Sequence, residues 1–91
     1  MCTYQTEKIE IDGSGKAARG WFSLSHATVY VDHPVHAPYA HTVNIDFINP
    51  GEGPSARVPV ELTEEAALAL ADAIHRALAA APAGLASAGQ K

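Results

Sequence analysis

The chain has 91 residues, of which 47% are hydrophobic and 18% are charged, a balance typical of one globular domain and not of a disordered chain. Ten acidic residues outnumber six scattered basic ones, and the net charge is −4. Nucleic acids and anionic membrane surfaces both bind basic patches, so neither is an expected partner.

The first third of the chain predicts a strand, a turn and a short aromatic segment. The strand runs over 4–11, and the Asp-Gly-Ser-Gly-Lys stretch at 12–16 predicts a hairpin turn, because Asp and Gly tolerate positive φ. The aromatic segment 20–24 fits either a short strand or an anchor at the edge of the core.

Three later segments alternate between apolar and polar residues, which is the pattern of a strand with one buried face. These strands are predicted over 27–32, 42–48 and 55–62, with a loop over 49–54. Their inward-facing residues are Ala27, Val29, Val31, Val43, Ile45, Phe47, Val58, Val60 and Leu62. Pro59 lacks a backbone N–H, which favours an edge position for the last strand.

A long helix is predicted after these strands. Thr63 is its expected N-cap, and Glu64 and Glu65 suit its first turn, where the helix dipole favours negative charge. An apolar stripe at helical spacing comprises Leu70, Ala71, Ile74, Ala77, Leu78 and Ala81. Pro82 and Gly84 end the helix. The sequence therefore predicts an α+β fold: an antiparallel sheet of four to five strands with one long C-terminal helix packed on one face.

We expect a single domain over 1–82 and a flexible tail over 83–91. A chain of this length buries only about 60–65% of its unfolded surface, so its core is thin and a homodimer is expected. The single cysteine, Cys2, excludes an intramolecular disulfide. The polar N-terminus has no targeting pattern and no apolar run is long enough to span a membrane, so a cytoplasmic protein is expected.

Four of the five histidines fall within sixteen consecutive residues: His26, His33, His36 and His41. Imidazole is the commonest metal ligand and titrates near neutral pH. Because His33 ends one predicted strand and His41 begins the next, the converging ends of the hairpin bring these two rings together, with His36 in the loop between them.

This cluster predicts a centre for a divalent transition metal, namely zinc, iron, copper or nickel. The predicted ligands are His33, His36 and His41, with Asp46, Asp32 or His26 as the auxiliary ligand. The histidine spacing does not match the His-Glu-x-x-His motif of zinc enzymes. Two alternatives therefore stay open: loop histidines bonded to solvent or backbone, and acid–base catalysis without a metal.

Two further interpretations belong to other classes of function. The first is a non-catalytic dimeric interaction module that docks a protein through its outward sheet face or edge strand. The second is a metal-free small-molecule binding protein that uses Trp21, Tyr30 and Tyr39. Whether the protein is an enzyme stays open. Cys2 is either a small residue at a strand start or, after loss of Met1, a metal-chelating or nucleophilic N-terminal residue.

Six short segments carry a resemblance to a known group of proteins. They are Met-Cys-Thr-Tyr-Gln-Thr-Glu-Lys at 1–8, Gly-Trp-Phe at 20–22, Ala-Thr-Val-Tyr at 27–30, and the segments 32–38, 41–47 and 53–58. In these segments the chain resembles a small uncharacterised protein family common in actinobacteria. The resemblance covers residue 1 to about residue 81 and implies a stand-alone, full-length cytoplasmic protein. It transfers no activity and no catalytic residue.

Overall fold

A computed structural model describes residues 5–87 of the chain. Its elements are β1 (Glu7–Ala17), β2 (Gly20–Asp32), β3 (Thr42–Ile48), a 3-10 turn (Pro50–Glu52), β4 (Arg57–Leu62) and α1 (Glu64–Ala80). The four strands pair in the order β1-β2-β3-β4, every neighbour antiparallel. The predicted α+β class, with a C-terminal helix, is confirmed, and the sheet has four strands. The predictions for Cys2 and for a strand start at Tyr4 lie outside the described residues.

The glycine-rich stretch 12–16 is part of a strand and not the predicted turn. Gly13 pairs with Leu24 and Gly15 pairs with Phe22 after a register shift that follows Glu10. The chain reverses direction later, at 18–19, and Gly20, the residue that follows this turn, has a φ of +114°. The prediction was wrong because glycine signals a turn locally, whereas pairing with β2 extends the strand through it. The segment 20–24 is accordingly the first part of one long strand.

The alternating residues of β2, β3 and β4 come together on one apolar face of the sheet. Val29, Ile45 and Val60 are aligned across the three strands, and neighbours two residues away share their face because successive side chains alternate. The other face carries Tyr30, Asn44, Asp46, Arg57 and Glu61. The alternation therefore correctly predicted which residues share a face. The expected burial of the whole apolar face is wrong for Val31, which is 42% exposed, and the buried residues of β3 are Thr42 and Asn44 on the polar face.

Strand β4 lies at the edge of the sheet, as Pro59 predicted. The loop before it is held by Asn49, whose amide donates to the Ser23 carbonyl at 2.8 Å and whose side-chain oxygen accepts from Gly51 N at 3.1 Å. These bonds fix the start of β4 and hence the position of Arg57.

Helix α1 begins one residue after β4. The Thr63 hydroxyl accepts a hydrogen bond from Ala66 N at 3.1 Å, which confirms the predicted cap. The helix contacts β3 and β4, and its apolar residues Leu70, Ile74 and Leu78 remain exposed. No helix within residues 5–87 has the length and apolar character needed to cross a membrane.

Candidate functional site

The connection between β2 and β3, residues 33–41, is called the histidine loop here. The Glu61 carboxylate, on β4, accepts hydrogen bonds from three successive amides of this loop: Val35 N at 2.5 Å, His36 N at 3.1 Å and Ala37 N at 2.8 Å. These bonds, those from Ala37 and Val35 foremost, hold the pKa of Glu61 below its ordinary value. An edge-strand carboxylate thus folds the loop back over the polar face of the sheet.

The first and last residues of the histidine loop, His33 and His41, approach each other, as the hairpin geometry predicted. The His33 and His41 ring centroids are 4.4 Å apart and the ring planes are inclined by 33°. His33 Nδ1 lies 2.9 Å from the Ala40 carbonyl oxygen. Because a carbonyl oxygen only accepts, Nδ1 is the donor, and in the neutral ring the lone pair is on Nε2. The Asp32 carboxylate accepts from His33 N at 2.7 Å, which fixes the strand end.

Of the other predicted metal ligands, Asp32 adjoins His33 and His36 is on the histidine loop, whereas Asp46 and His26 are on the strands of the sheet. Asp46 accepts from Arg57 and Tyr30. His26 pairs with Glu10 and Ile48, seven residues before His33 on the chain, which is roughly 20 Å along a strand. Within residues 5–87, no group of three or more His, Cys, Asp or Glu side chains is arranged to hold a metal ion.

An open cavity of about 460 Å³ lies between the histidine loop and the polar sheet face. From the sheet it is lined by Tyr30, Asn44, Asp46, Arg57, Pro59, Val60 and Glu61, and from the loop by His33, Val35, His36 and Ala37. Its volume falls within the range of about 300–1,000 Å³ that is common for small-molecule sites. Tyr30, predicted as a ligand-binding residue, is therefore part of this cavity.

Three side chains from three strands form a hydrogen-bonded network at the cavity. Arg57 Nη2 donates to Asp46 Oδ1 at 2.8 Å, and the Tyr30 hydroxyl donates to Asp46 Oδ2 at 3.2 Å. Burial raises the pKa of the Tyr30 phenol, and the negative charge of Asp46 and the hydrogen bond to it raise that pKa further. The carboxylate thus fixes an arginine and a phenol on one surface.

A buried polar pair lies beside this network. Thr42 and Asn44 are 2% and 6% exposed, although they belong to the polar face. The Thr42 hydroxyl donates to Asn44 Oδ1 at 2.6 Å. This bond engages the oxygen of the Asn44 amide. The NH₂ group, which is the donor of that side chain, can bind a molecule in the cavity.

The other two predicted ligand-binding aromatics lie elsewhere. Trp21 is 71% exposed and lines a smaller cavity of about 150 Å³ near the β1–β2 turn, together with Arg19 and Phe22. Tyr39 is on the histidine loop and is 55% exposed. The three predicted aromatics therefore do not share one site.

Sequence reasoning missed Arg57 and Glu61, the two charged residues of β4 that complete the site. A signal for them exists. Arg57, Pro59 and Glu61 alternate with the apolar residues of β4, so they had to share the face of the polar residues of β3. What the pattern could not give was their register, in which Asn44 pairs with Glu61 and Asp46 with Pro59.

Comparison with known proteins identifies the family of the chain. The model of a family of unknown function, DUF6295, matches residues 1–87. The chain belongs to DUF6295. This agrees with the resemblance to an uncharacterised family, while an actinobacterial distribution stays a prediction. Neither a curated protein nor a solved structure matches this DUF6295 chain, so its chemistry has to be argued from its own residues.

Proposed function

We propose that this domain binds a small, largely apolar molecule that carries a carboxylate, in the cavity between the histidine loop and the polar sheet face. The observation that carries the proposal is the Arg57–Asp46–Tyr30 network on a cavity of about 460 Å³. The proposal concerns binding and assigns no reaction.

The walls favour an apolar body for the ligand. Val35, Ala37 and Pro59 line the cavity, and Tyr30 adds its ring. Pockets that are mostly apolar with a few fixed polar groups are the usual form of a small-molecule site. The volume suits a molecule of one or two rings.

The polar groups favour a carboxylate at one end of the ligand. A guanidinium has five N–H donors in a planar fork that matches a carboxylate, and Asp46 engages Arg57 through Nη2. The side chain of Arg57 is 50% exposed, so a ligand can reach it. The amide NH₂ of Asn44 offers a further donor. Asp46 holds the guanidinium in place before the ligand arrives, which lowers the entropy lost on binding.

The test is a titration of the ¹⁵N-labelled protein with naphthoate and, as a matched neutral probe, naphthamide, followed by NMR. We expect naphthoate to shift the amide signals of Tyr30, Asn44, Arg57 and Val60 in a saturable way. Arg57→Gln should weaken naphthoate binding at least tenfold and should change naphthamide binding little, because the charge-assisted pair with the carboxylate is lost.

Arg19→Gln is the control, because Arg19 lines the separate cavity beside Trp21. It should leave naphthoate binding unchanged. Saturable shifts confined to the surroundings of Trp21, or equal weakening of both probes by Arg57→Gln, would contradict a carboxylate site at this cavity. Absence of any saturable shift with either probe would also count against it.

Metal binding at the histidine loop is a second candidate, favoured by one observation. His33 donates from Nδ1 to a backbone carbonyl, and metal-binding histidines commonly use their second nitrogen in this way, which leaves Nε2 for the metal. The His41 ring is close enough to take part. A metal held by these two rings would need water or a further group to complete its coordination.

Zn²⁺ and Ni²⁺ titrations followed by isothermal calorimetry test this second candidate, and metal analysis of the untagged protein accompanies them. Binding with one ion per chain that is lost in His33→Ala/His41→Ala, and kept in His75→Ala, would support the histidine pair. Equal binding by the double variant would exclude it.

A further inference from the structure

We infer that the apolar face of the sheet and the apolar stripe of α1 form the interface of a homodimer, in which the helix of one copy packs on the sheet of the other. The apolar sheet face is opposite the proposed ligand cavity, and no residue of α1 lines that cavity, so the inference does not depend on it.

The sheet face is too exposed for a completed core. Among residues 5–87, the buried hydrophobic residues are Ala27 and Ala56, and no large side chain is fully buried. Val31 is 42% exposed although β2 is an interior strand, and Ile9 on the edge strand β1 is 53% exposed. Antiparallel sheets normally bury one face against another layer. Within residues 5–87 that layer is incomplete, because α1 contacts the sheet at β3 and β4 while Val31 and Ile9 stay exposed.

The helix carries the matching surface. Leu70, Ile74 and Leu78 follow one another at spacings of three to four residues, which places them on one side of α1. They are 45%, 52% and 61% exposed. On the same stripe, Ala67 is only partly exposed, so the helix meets the sheet at its first turn and then leaves its apolar side uncovered.

The dimensions of the chain lead to the same conclusion. The radius of gyration is 14.7 Å, whereas a compact chain of this length has about 12 Å. The accessible surface is 6988 Å², about 1,900 Å² more than the roughly 5,000 Å² expected for a folded monomer of this mass. A stable dimer of standard size buries about 800 Å² per partner, and obligate homodimers bury more. The excess is large enough for an obligate interface.

A second copy is the occupant that fits both surfaces at once. Each copy has one uncovered apolar sheet face and one uncovered apolar helix, so a two-fold axis satisfies both pairs with the same residues. The stripe consists of leucine, isoleucine and alanine without charge, which suits a valine- and isoleucine-rich sheet face.

The test is the mass of the native protein in solution by sedimentation velocity over a dilution series. We expect about 19 kDa for the wild type, twice the 9.5 kDa of the chain. Ile74→Asp should give the monomer mass, because it introduces a charge into the interface. Leu68→Asp is the matched control. Leu68 is 62% exposed and is on another side of α1, so this variant should remain a dimer.

A second measurement covers the case in which Ile74→Asp fails to fold. In a dimer mixed from ¹³C-labelled and unlabelled copies of the wild type, nuclear Overhauser effects should connect the Ile74 methyl groups of one copy to valine methyl groups of the sheet in the other. A monomeric wild type would overturn the inference. So would a dimer whose intermolecular contacts join helix to helix only, or β4 to β4.

Discussion

The Glu61 carboxylate accepts hydrogen bonds from three consecutive backbone amides, a role that a neutral side chain performs less well. An ionised acceptor makes stronger hydrogen bonds than a neutral one. The same bonds lower the pKa of Glu61, those from Ala37 and Val35 most. The position of the histidine loop, and with it one wall of the cavity, is therefore linked to the charge of one residue.

We expect the loop to detach in acid at a pH below the ordinary Glu value of 4.5. Because the folded pKa is lowered, the contribution of Glu61 is present above that ordinary value and is lost as the pH falls through the folded pKa. NMR titration of the amide protons of Val35, His36 and Ala37 should give a common midpoint below 4.5. In Glu61→Gln these signals should lack that transition, whereas the exposed Glu10→Gln should retain it. A wild-type midpoint above 4.5 would contradict the anchoring role.

Asp46 fixes the position of Arg57 and, after burial, contributes to the raised pKa of Tyr30. The Arg57–Asp46 ion pair is partly exposed, with side chains 50% and 14% accessible, so it contributes at most about 1 kcal/mol to stability. The main effect of this ion pair is to hold the Arg57 guanidinium in a fixed position at the cavity. The phenol of Tyr30 reports on the same carboxylate, because burial and then Asp46 raise its pKa.

We expect Tyr30 to titrate above the ordinary tyrosine value of 10.0. In Asp46→Asn the midpoint should fall and yet stay above 10.0, since burial is the largest cause of the shift. A raised pKa means that the contribution to stability is present below the unfolded value and is lost as the pH rises through the folded one. ¹³Cζ NMR of labelled tyrosine measures this midpoint, with Asp72→Asn on the helix as control. An unchanged midpoint in Asp46→Asn would show that the two groups do not interact.

Local sequence patterns predicted those strands and helix ends that depend on nearby residues alone. Period-two alternation predicted β3 and all of β4, which begins two residues later than expected, and Thr63 predicted the helix start. The strand through Gly13 and Gly15 could not be predicted in this way, because its cause is pairing with a distant part of the chain. The same holds for the site. Tyr30 was predicted as a site residue because it is an aromatic residue on the polar face. Arg57 could not be predicted in the same way, because only the register of three paired strands brings it close to Tyr30.

Gly15 lies against side chains of β2 and β4. A Cβ atom at this position would lie 3.3 Å from Leu24 Cδ2 and 3.5 Å from Val58 Cγ2. We expect Gly15→Val to lower the free energy of unfolding by about 1–3 kcal/mol, since the larger side chain overpacks this contact. Urea denaturation measures the change.

Gly13→Val provides the comparison within the same strand. A Cβ at Gly13 has nothing within 4 Å, and valine suits a strand, so this variant should be neutral or up to about 1 kcal/mol more stable. Equal destabilisation by both variants would mean that glycine is needed for backbone reasons and not for the contact with Leu24 and Val58.

We expect folding of the chain and formation of the homodimer to be one process. A chain without a fully buried large side chain among its described residues has little hydrophobic burial to offset the entropy lost on folding. If the helix of a second copy supplies the missing layer, unfolding separates the copies, and the melting temperature depends on concentration.

Each tenfold dilution should therefore lower the melting temperature by a few degrees, because a tenfold change in concentration is worth about 1.4 kcal/mol per dimer. Ile74→Asp should melt lower and show no dependence on concentration, whereas Leu68→Asp should follow the wild type. Differential scanning calorimetry gives both the midpoint and the enthalpy. A cooperative wild-type transition that is independent of concentration would mean that the thin core of one chain suffices.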